Sequence, residues 1–277
     1  MNQAKQSVCC PVCLTGSMPY FRKRSYNIYK CYYCGCLTAD LEFEHEQYEQ
    51  SDYYTMKFDS RDEIEIEWGM RWAYILDRLD KVSEVPQASQ VLLDVGAGNG
   101  HFMNKALSRF SGCRGLEISS EEIRFAKRIF EVTLENTPVQ EITETYDVVS
   151  CLSVLEHVEN PCEFLRMLLA RVKPGGVLVV TTPNTRCIQS RLLGKHWRMI
   201  DPPHHINLFS RTALQKMIEG NGFHVVDYQT LSTYIRPFRR IPFLRRMAFN
   251  VLRLVGLGAD HLMLVRQNNS QDRLSTE

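Results

Sequence analysis

The residues with the most readily interpreted chemistry are cysteines, six of which fall within the first 36 positions. Cys10 with Cys13 and Cys31 with Cys34 form two C-x2-C pairs, and seventeen residues separate them. Each pair fits a tight turn that directs two thiolates at one tetrahedral ion, and the intervening length suits a hairpin. The spacing therefore predicts a structural Zn²⁺ bound by these four cysteines.

A zinc ribbon of under about forty residues has too little core to fold alone, so the metal would supply its stability. Cys9 and Cys36 are surplus thiols in this scheme. The ribbon also interleaves lysines and arginines with aromatic residues, a mixture that could stack on bases or sugars: Tyr20, Phe21, Tyr26, Tyr29, Tyr32 and Tyr33. We favour the simpler interpretation that these aromatics form the ribbon core and its contact with the next domain.

A second group of chemically informative residues lies between positions 91 and 102, where Asp94 precedes Gly96, Gly98 and Gly100. The pattern predicts a buried strand, a glycine loop that lets the backbone approach a ligand, and an amphipathic helix. The spacing G-x-G-x-G differs from the dinucleotide pattern G-x-G-x-x-G. A carboxylate at Asp94 would repel a pyrophosphate, but it suits the ammonium group of a methionine moiety.

A second acid, Glu117, ends the next predicted strand at 115–118 and follows Asp94 by 23 residues. A carboxylate at that distance can accept hydrogen bonds from both hydroxyls of a ribose. Two surface acids beside an ordinary α/β turn would be the less specific interpretation. The combination with the glycine loop favours a ligand site.

Residues 91 to about 227 resemble the class I S-adenosylmethionine-dependent methyltransferases. Residues 146–157 are similar to the fourth strand of that family with its loop, and residues 172–183 to the fifth strand with its Lys-Pro-Gly-Gly turn. The resemblance implies S-adenosylmethionine as methyl donor on the glycine loop, with Asp94 near its amino end and Glu117 on its ribose. The implied cofactor-binding residues are Asp94, Gly96, Ala97, Gly98, Asn99, Gly100, Glu117, Ile118, Cys151, Leu152 and Ser153.

One departure from the family concerns the residue that reads the adenine amine, which is often an acid or amide after the third strand. The corresponding region, 135–141, is compressed, and no residue in it is assigned, although Gln140 and Glu141 are candidates by type. Residues 191–210 resemble the substrate-side insertion of bacterial methyltransferases often found with cell-surface glycan genes, several of which begin with a four-cysteine ribbon. That subgroup also resembles the quinone O-methyltransferases.

Methyl transfer to a hydroxyl needs alignment of the acceptor with the donor and a base for the departing proton. Histidine is the only side chain whose unperturbed pKa lies near neutrality, so His205, His157 and His204 are the candidate bases. His205, within Pro-Pro-His-His, is the first choice, and His157 directly follows the fourth-strand loop. A histidine at a helix start can also simply bind backbone groups.

Two helical segments must position these groups. From Tyr48 to Asp80, apolar residues recur at three- and four-residue spacing: Ile64, Trp68, Trp72, Ile75, Leu76 and Leu79. This spacing predicts a helix packed on the sheet; such a helix could also cover a cofactor, but we favour the packing role. The segment 235–256 reads as a basic amphipathic insertion with aromatics. It suits either a membrane surface with anionic lipids or ordinary packing, including a dimer contact.

Composition narrows the class of protein. The 277 residues carry a formal net charge of +1, which argues against a strongly basic nucleic-acid binder, although residues 1–39 contain no acid. We find neither a secretory signal nor a run of about eighteen apolar residues. We therefore expect a cytoplasmic protein, with peripheral contact at the inner membrane surface if 235–256 binds lipid.

The predicted fold is α/β, a Rossmann-like seven-stranded doubly wound sheet whose last strand is antiparallel by family resemblance, with a zinc ribbon in front. The predicted organisation is a ribbon at 1–40, a helical linker at 41–88, the methyltransferase domain at 89–267 and a flexible tail at 268–277. The predicted function is O-methylation of a glycan, a lipid-linked intermediate or another small hydroxylated acceptor. The alternatives are an RNA methyltransferase that grips its substrate with the ribbon, and a zinc adaptor with a degenerate catalytic domain; nothing in the sequence fixes the oligomeric state.

Overall fold

The structure, a computed structural model, describes residues 7–40, 60–232 and 242–268. The predicted segments 1–40, 41–88, 235–256 and 268–277 lie partly outside these ranges, and their boundaries stay predictions. The described residues form eleven strands: β1 Val8–Cys9, β2 Gly16–Lys23, β3 Tyr26–Lys30, β4 Leu37–Ala39, β5 Val91–Val95, β6 Gly112–Leu116, β7 Tyr146–Leu152, β8 Val172–Pro183, β9 Asn207–Leu208, β10 Phe223–Leu231 and β11 Asp260–Gln267.

Seven α-helices accompany these strands in the described ranges: α1 Arg61–Val82, α2 His101–Ala106, α3 Ser120–Phe130, α4 Pro161–Leu169, α5 Ile188–Leu193, α6 Arg211–Glu219 and α7 Pro242–Leu254. Side chains cap several of their first turns, as at α1, where the Ser60 hydroxyl accepts a hydrogen bond from the Glu63 amide. None of the described helices is long and apolar enough to span a bilayer.

The larger sheet has the order β10-β11-β8-β7-β5-β6. Strands β6, β5, β7 and β8 run parallel, whereas β11 pairs antiparallel with both β8 and β10. Both faces are covered, because alternate residues of each parallel strand enter different cores. Leu93 and Val149 pack with α4 and α6, while Leu92 and Val148 pack with α1, α2 and α3. This arrangement confirms the predicted doubly wound α/β class.

The described part of this sheet contains six strands where seven were predicted. The place of the missing edge strand is held by a single parallel bridge between Leu116 and Glu135. The Glu117 amide donates to the Glu135 carbonyl at 3.0 Å, and the Glu135 amide donates to the Gly115 carbonyl at 2.9 Å. Pro138 has no amide hydrogen to continue the ladder, and a 3₁₀ turn at Val139–Glu141 follows at once. The compressed sequence here therefore forms a single β-bridge at Glu135 and not a full strand.

The smaller sheet has the order β1-β2-β3-β4-β9, so its last strand comes from a distant part of the chain. The register pairs Leu37 with Leu208 and Thr38 with Asn207. Strand β9 lies within the 191–210 segment that the sequence assigned to the substrate side. The cysteine-rich N-terminal sheet is therefore continuous with one wall of the larger domain.

Candidate active site and cysteine cluster

The glycine loop follows β5 and is held by the end of the neighbouring strand. The amides of Gly96 and Ala97 both donate to the carbonyl of Leu116 at 2.9 Å. Gly96 has φ of 72°, and a Cβ there would lie 2.4 Å from Cγ2 of Val154. Only glycine accommodates both the left-handed backbone and this close approach. The loop is thus pressed against the segment that leaves β7.

Asp94 lies at the carboxyl end of β5 and is almost fully buried. The hydroxyl of Ser150 donates to its Oδ1 at 2.6 Å. Burial raises the pKa of Asp94 to about 7, with the charge of Glu117 adding to the effect. A cationic ligand group beside this carboxylate would favour its ionised form.

Glu117 lies just after β6, and backbone amides fix its carboxylate on both sides. Oε2 accepts from the Gly98 amide at 2.7 Å, and Oε1 accepts from the Ser119 amide at 2.9 Å. Burial raises the pKa of Glu117, while these amide hydrogen bonds act in the opposite direction. Each oxygen retains a lone pair, so the carboxylate can still accept hydrogen bonds from a bound hydroxyl.

Both acids open into one cavity of about 640 Å³, a volume typical of small-molecule sites. Among the predicted cofactor residues, nine line it: Asp94, Gly96, Ala97, Gly98, Asn99, Glu117, Ile118, Leu152 and Ser153. Gly100 does not line the cavity, because it is the N-cap of α2 and faces α3. A Cβ added at Gly100 would lie 2.7 Å from the Cβ of Ala126. Cys151 is fully buried and packs in the core beneath α4.

Other lining residues were not predicted as site residues. Trp68 and Trp72 of α1 stack at 5.5 Å and form one wall, so α1 does more than pack on the sheet. Phe164 and Met167 of α4 add further apolar surface. Residues 137–140 line the cavity as well, which makes this stretch the candidate for the unassigned adenine contact. The helical spacing of the tryptophans was a visible signal. For residues 137–140, the sequence indicated the region 135–141 as the place of the adenine contact without assigning a residue.

The three candidate histidines occupy different positions. His157 and His204 line the cavity, whereas His205 is buried and contributes no lining atom. The Nδ1 of His157 lies 2.8 Å from the His204 carbonyl oxygen, and that of His205 lies 2.7 Å from the Met199 carbonyl oxygen. The His157 and His205 rings meet edge to face at 4.8 Å. Burial, with the nearby His205, lowers the pKa of His157 to about 3.

The four cysteines of the two C-x2-C pairs come together at one end of the smaller sheet. Their sulfur atoms all lie within 4.8 Å of one another. The Sγ atoms of Cys10 and Cys34 are 3.5 Å apart, as are those of Cys13 and Cys31. A tetrahedral zinc with Zn–S bonds of about 2.3 Å places its ligand sulfurs about 3.8 Å apart. The donor set therefore fits the predicted ion.

The cysteine-bearing ribbon is fastened to residues 197–210 by several contacts besides the β4–β9 pairing. The Lys23 ammonium donates to the Trp197 carbonyl at 2.9 Å, and Arg24 forms an ion pair with Asp201 at 2.9 Å. The hydroxyl of Ser210 donates to the carbonyl of Cys34, itself a predicted metal ligand. These contacts flank His204, so the ribbon holds a wall of the cavity although none of its described residues lines it.

The aromatic residues of the ribbon divide into two groups. Tyr29 is fully buried, in line with a core role. Tyr20, Tyr32 and Tyr33 are about half to two-thirds exposed, at 48%, 68% and 65%. The ammonium of Lys30 lies 4.9 Å and 5.4 Å from the ring centres of Tyr20 and Tyr32. The ammonium of Lys216 on α6 lies 3.9 Å from the ring centre of Tyr33, so Tyr33 contacts the larger domain. The interpretation as ribbon core and domain contact therefore accounts for Tyr29 and Tyr33 but not for Tyr20 and Tyr32.

Comparison with known proteins identifies the larger domain. The family described as "Methyltransferase domain" matches residues 67–228. The ubiquinone biosynthesis O-methyltransferase of Vibrio parahaemolyticus is 28% identical over 173 residues, which cover 53% of this chain and 71% of the relative. The mitochondrial ubiquinone biosynthesis O-methyltransferase of Dictyostelium discoideum is 29% identical over 195 residues, covering 58% of this chain and 60% of the relative.

A solved structure extends the likeness of fold to most of the chain. The 1,6-didemethyltoxoflavin-N1-methyltransferase of Burkholderia thailandensis, solved with 1,6-didemethyltoxoflavin and S-adenosylhomocysteine, covers 91% of this chain and 99% of its own. Its TM-score is 0.54 at 18% sequence identity. At this identity the likeness concerns the fold and does not carry over the acceptor.

Proposed function

The chain belongs to the methyltransferase-domain family as a class I S-adenosylmethionine-dependent methyltransferase, and from this premise we propose that it methylates a hydroxyl of a small, largely apolar acceptor. The observation that supports the acceptor class is the composition of the cavity. Its acids and glycine loop share one space with Trp68, Trp72 and Phe164. Such walls suit a lipid-linked or aromatic hydroxyl compound better than a free glycan.

The cofactor would be held by groups whose chemistry matches its parts. When bound, S-adenosylmethionine supplies a methyl group on a positively charged sulfur. Asp94 would then accept hydrogen bonds from the amino end, and Glu117 from the ribose hydroxyls. Gln140 lies on the cavity wall and offers an amide to the adenine. Glu117 is already oriented by two backbone amides, so little ordering is required when it binds.

The acceptor hydroxyl must lose its proton as its oxygen forms a bond to the methyl carbon and the carbon–sulfur bond breaks. We assign the proton to His204, which lines the cavity and is not fully buried. His157, with a pKa lowered to about 3, stays neutral and is a weak base, so its role is to position the acceptor. His205, the first choice from sequence, lies behind His157 and supports its ring.

The four cysteines would hold a structural zinc ion. Metal binding would then stabilise the ribbon, and through β4 and β9 it would fix the segment that carries His204. This role needs no zinc chemistry at the reacting atoms. The zinc-stabilised ribbon would thus support the acceptor side of the cavity and not the cofactor side.

An RNA acceptor is the second candidate, and the exposed tyrosines near Lys30 favour it. Base stacking on such rings is worth about 1–3 kcal/mol per base. An affinity for RNA that falls steeply with salt and is lost when Tyr20 and Tyr32 are replaced by alanine would establish it. RNA binding that is absent or unchanged by these substitutions would leave the small apolar acceptor as the proposal.

The primary test is calorimetric titration of the zinc-loaded protein with S-adenosylmethionine, with Asp94→Ala and Glu117→Ala alongside. Binding in the micromolar range that both substitutions weaken would support the cofactor assignment. Release of S-adenosylhomocysteine would then be measured with quinols, phenols, lipid-linked sugars and RNA as acceptors. A folded protein that does not bind S-adenosylmethionine would overturn the proposal and favour the non-catalytic adaptor.

A further inference from the structure

Helix α7 exposes a row of large apolar side chains. Phe243, Met247, Val251 and Leu254 recur at spacings of four, four and three residues, and their exposed fractions are 73%, 52%, 50% and 75%. Phe249, on the inward side, is 3% exposed and packs edge to face on Tyr74 at 5.7 Å. The helix is therefore already anchored to the domain, and the exposed row is a separate surface.

Helix α5, which begins close to the end of α7, also exposes large apolar side chains. Ile188, Leu192 and Leu193 are exposed by 38%, 78% and 49%. The Ile188 amide lies 3.4 Å from the Leu257 carbonyl and donates to it, which brings the start of α5 to the residues just after α7. We call the exposed apolar residues of α5 and α7 together the two-helix surface. Soluble proteins rarely leave such a concentration of large apolar side chains in water without use.

The two sequence segments that carry the two-helix surface have charges of one sign. Residues 184–200 and 228–259 contain no acid in the sequence. Arg186, Arg191 and Lys195 are exposed around α5, and Arg246 is exposed on α7. Apolar side chains on amphipathic helices with basic residues beside them are the combination that binds lipid interfaces with anionic head groups.

From this combination we infer that the two-helix surface docks on a lipid bilayer containing anionic phospholipids. A second copy of the chain fits the surface less well, because a symmetric contact would place arginines and lysines against their own counterparts. The inward side of α7 contacts Tyr74 of α1, the helix whose Trp68 and Trp72 line the cavity. The docking does not require the proposed reaction, so the two can fail separately.

The test uses the full-length, zinc-loaded protein and sedimentation with vesicles. Vesicles of phosphatidylcholine alone are compared with vesicles that also contain phosphatidylglycerol. We expect binding only to the anionic vesicles and a loss of binding at high salt. The double variant Leu192→Asp with Leu254→Asp should bind at least about tenfold more weakly, since it places two charges in the apolar layer.

A control replaces two exposed apolar residues outside the two-helix surface, Leu107→Asp with Val85→Asp, which are 51% and 50% exposed. The control should sediment like the parent protein, and both doubles should bind S-adenosylmethionine as the parent does. Equal binding by the two doubles, or no preference for anionic vesicles, would overturn the inference. A Leu192/Leu254 variant that changes from dimer to monomer without any vesicle binding by the parent would also overturn it and assign the surface to a second copy.

Discussion

The cofactor side of the cavity is formed by residues close together in the sequence, whereas the acceptor side depends on contacts between distant segments. On the cofactor side, Asp94, the glycine loop and Glu117 come from one strand–loop–helix–strand unit, and 23 residues separate the two acids. On the acceptor side, His204 lies in a segment held by the ribbon across a separation of 174 residues between Lys23 and Trp197. The first side depends on local backbone geometry, whereas the second depends on a module that has little core of its own. Disturbing one side should therefore leave much of the other intact.

The largest effect is expected from loss of the cysteine cluster. Replacing Cys31 and Cys34 together by serine should remove the metal and release β4 from β9. Turnover should then fall on the order of 10²-fold or more, because the acceptor wall loses its alignment. The affinity for S-adenosylmethionine should change only a few-fold. Zinc content by mass spectrometry, turnover and calorimetric affinity would be measured on the same samples.

The matched control for that experiment replaces Cys9 and Cys113, which lie outside the four-sulfur set. It should retain zinc and turnover. If the Cys31/Cys34 variant lost the metal but kept full turnover, the ribbon would have no part in forming the acceptor wall. If it lost cofactor affinity as strongly as turnover, the proposed independence of the two sides would be wrong.

The converse disturbance is Glu117→Ala on the cofactor side. It removes the acceptor for two backbone amides, those of Gly98 and Ser119, along with the predicted ribose contact. A lost hydrogen bond to a charged group is worth about 1.5–3 kcal/mol, so affinity for S-adenosylmethionine should fall by roughly 10- to 100-fold. Zinc content should be unchanged. Glu121→Ala, an exposed acid at the start of α3, is the control and should bind the cofactor normally.

At constant pH a comparable or smaller effect is expected at Asp94, and this effect depends on pH. Burial raises its pKa to about 7, and a cationic ligand group favours the ionised form. Affinity for S-adenosylmethionine should therefore rise as pH increases toward about 7, by up to about tenfold per pH unit, and level off above it. Asp94→Asn should bind more weakly and should lose this dependence. A parent protein with constant affinity between pH 5 and pH 8 would contradict the assignment.

Folding stability tests the same group with a definite sign. Because the folded-state pKa of Asp94 is raised, its protonated form favours folding at low pH, and that contribution is lost as pH rises through about 7. The ligand-free Asp94→Asn variant should thus gain stability relative to the parent as pH increases from 5 to 8. Urea unfolding at the two pH values measures the difference. The stability of the variant minus that of the parent would then be larger at pH 8 than at pH 5, although the variant binds less cofactor.

The same contrast explains what the sequence could and could not predict. The acids, glycine loop and α/β class follow from short-range patterns, and the structure brings nine predicted cofactor residues to one cavity. The exclusion of Cys151 depends on which face of β7 it occupies, and the burial of His205 depends on packing against His157. The pairing of Thr38 with Asn207 joins positions with no shared periodicity, so no local pattern could indicate it.

The smallest effect, and the most specific to the link between the two regions, is expected at Arg24. In its ion pair with Asp201 the Arg24 side chain is 59% exposed, so the pair contributes at most about 1 kcal/mol. Arg24→Ala should raise the KM for the acceptor by a few-fold, because Asp201 lies three residues before His204. The ribbon should keep its metal, and cofactor affinity should not change. Arg22→Ala is the control, since Arg22 forms a hydrogen bond only within its own hairpin in the described contacts. Equal effects from both substitutions would indicate a general loss of positive charge rather than the loss of the ion pair between Arg24 and Asp201.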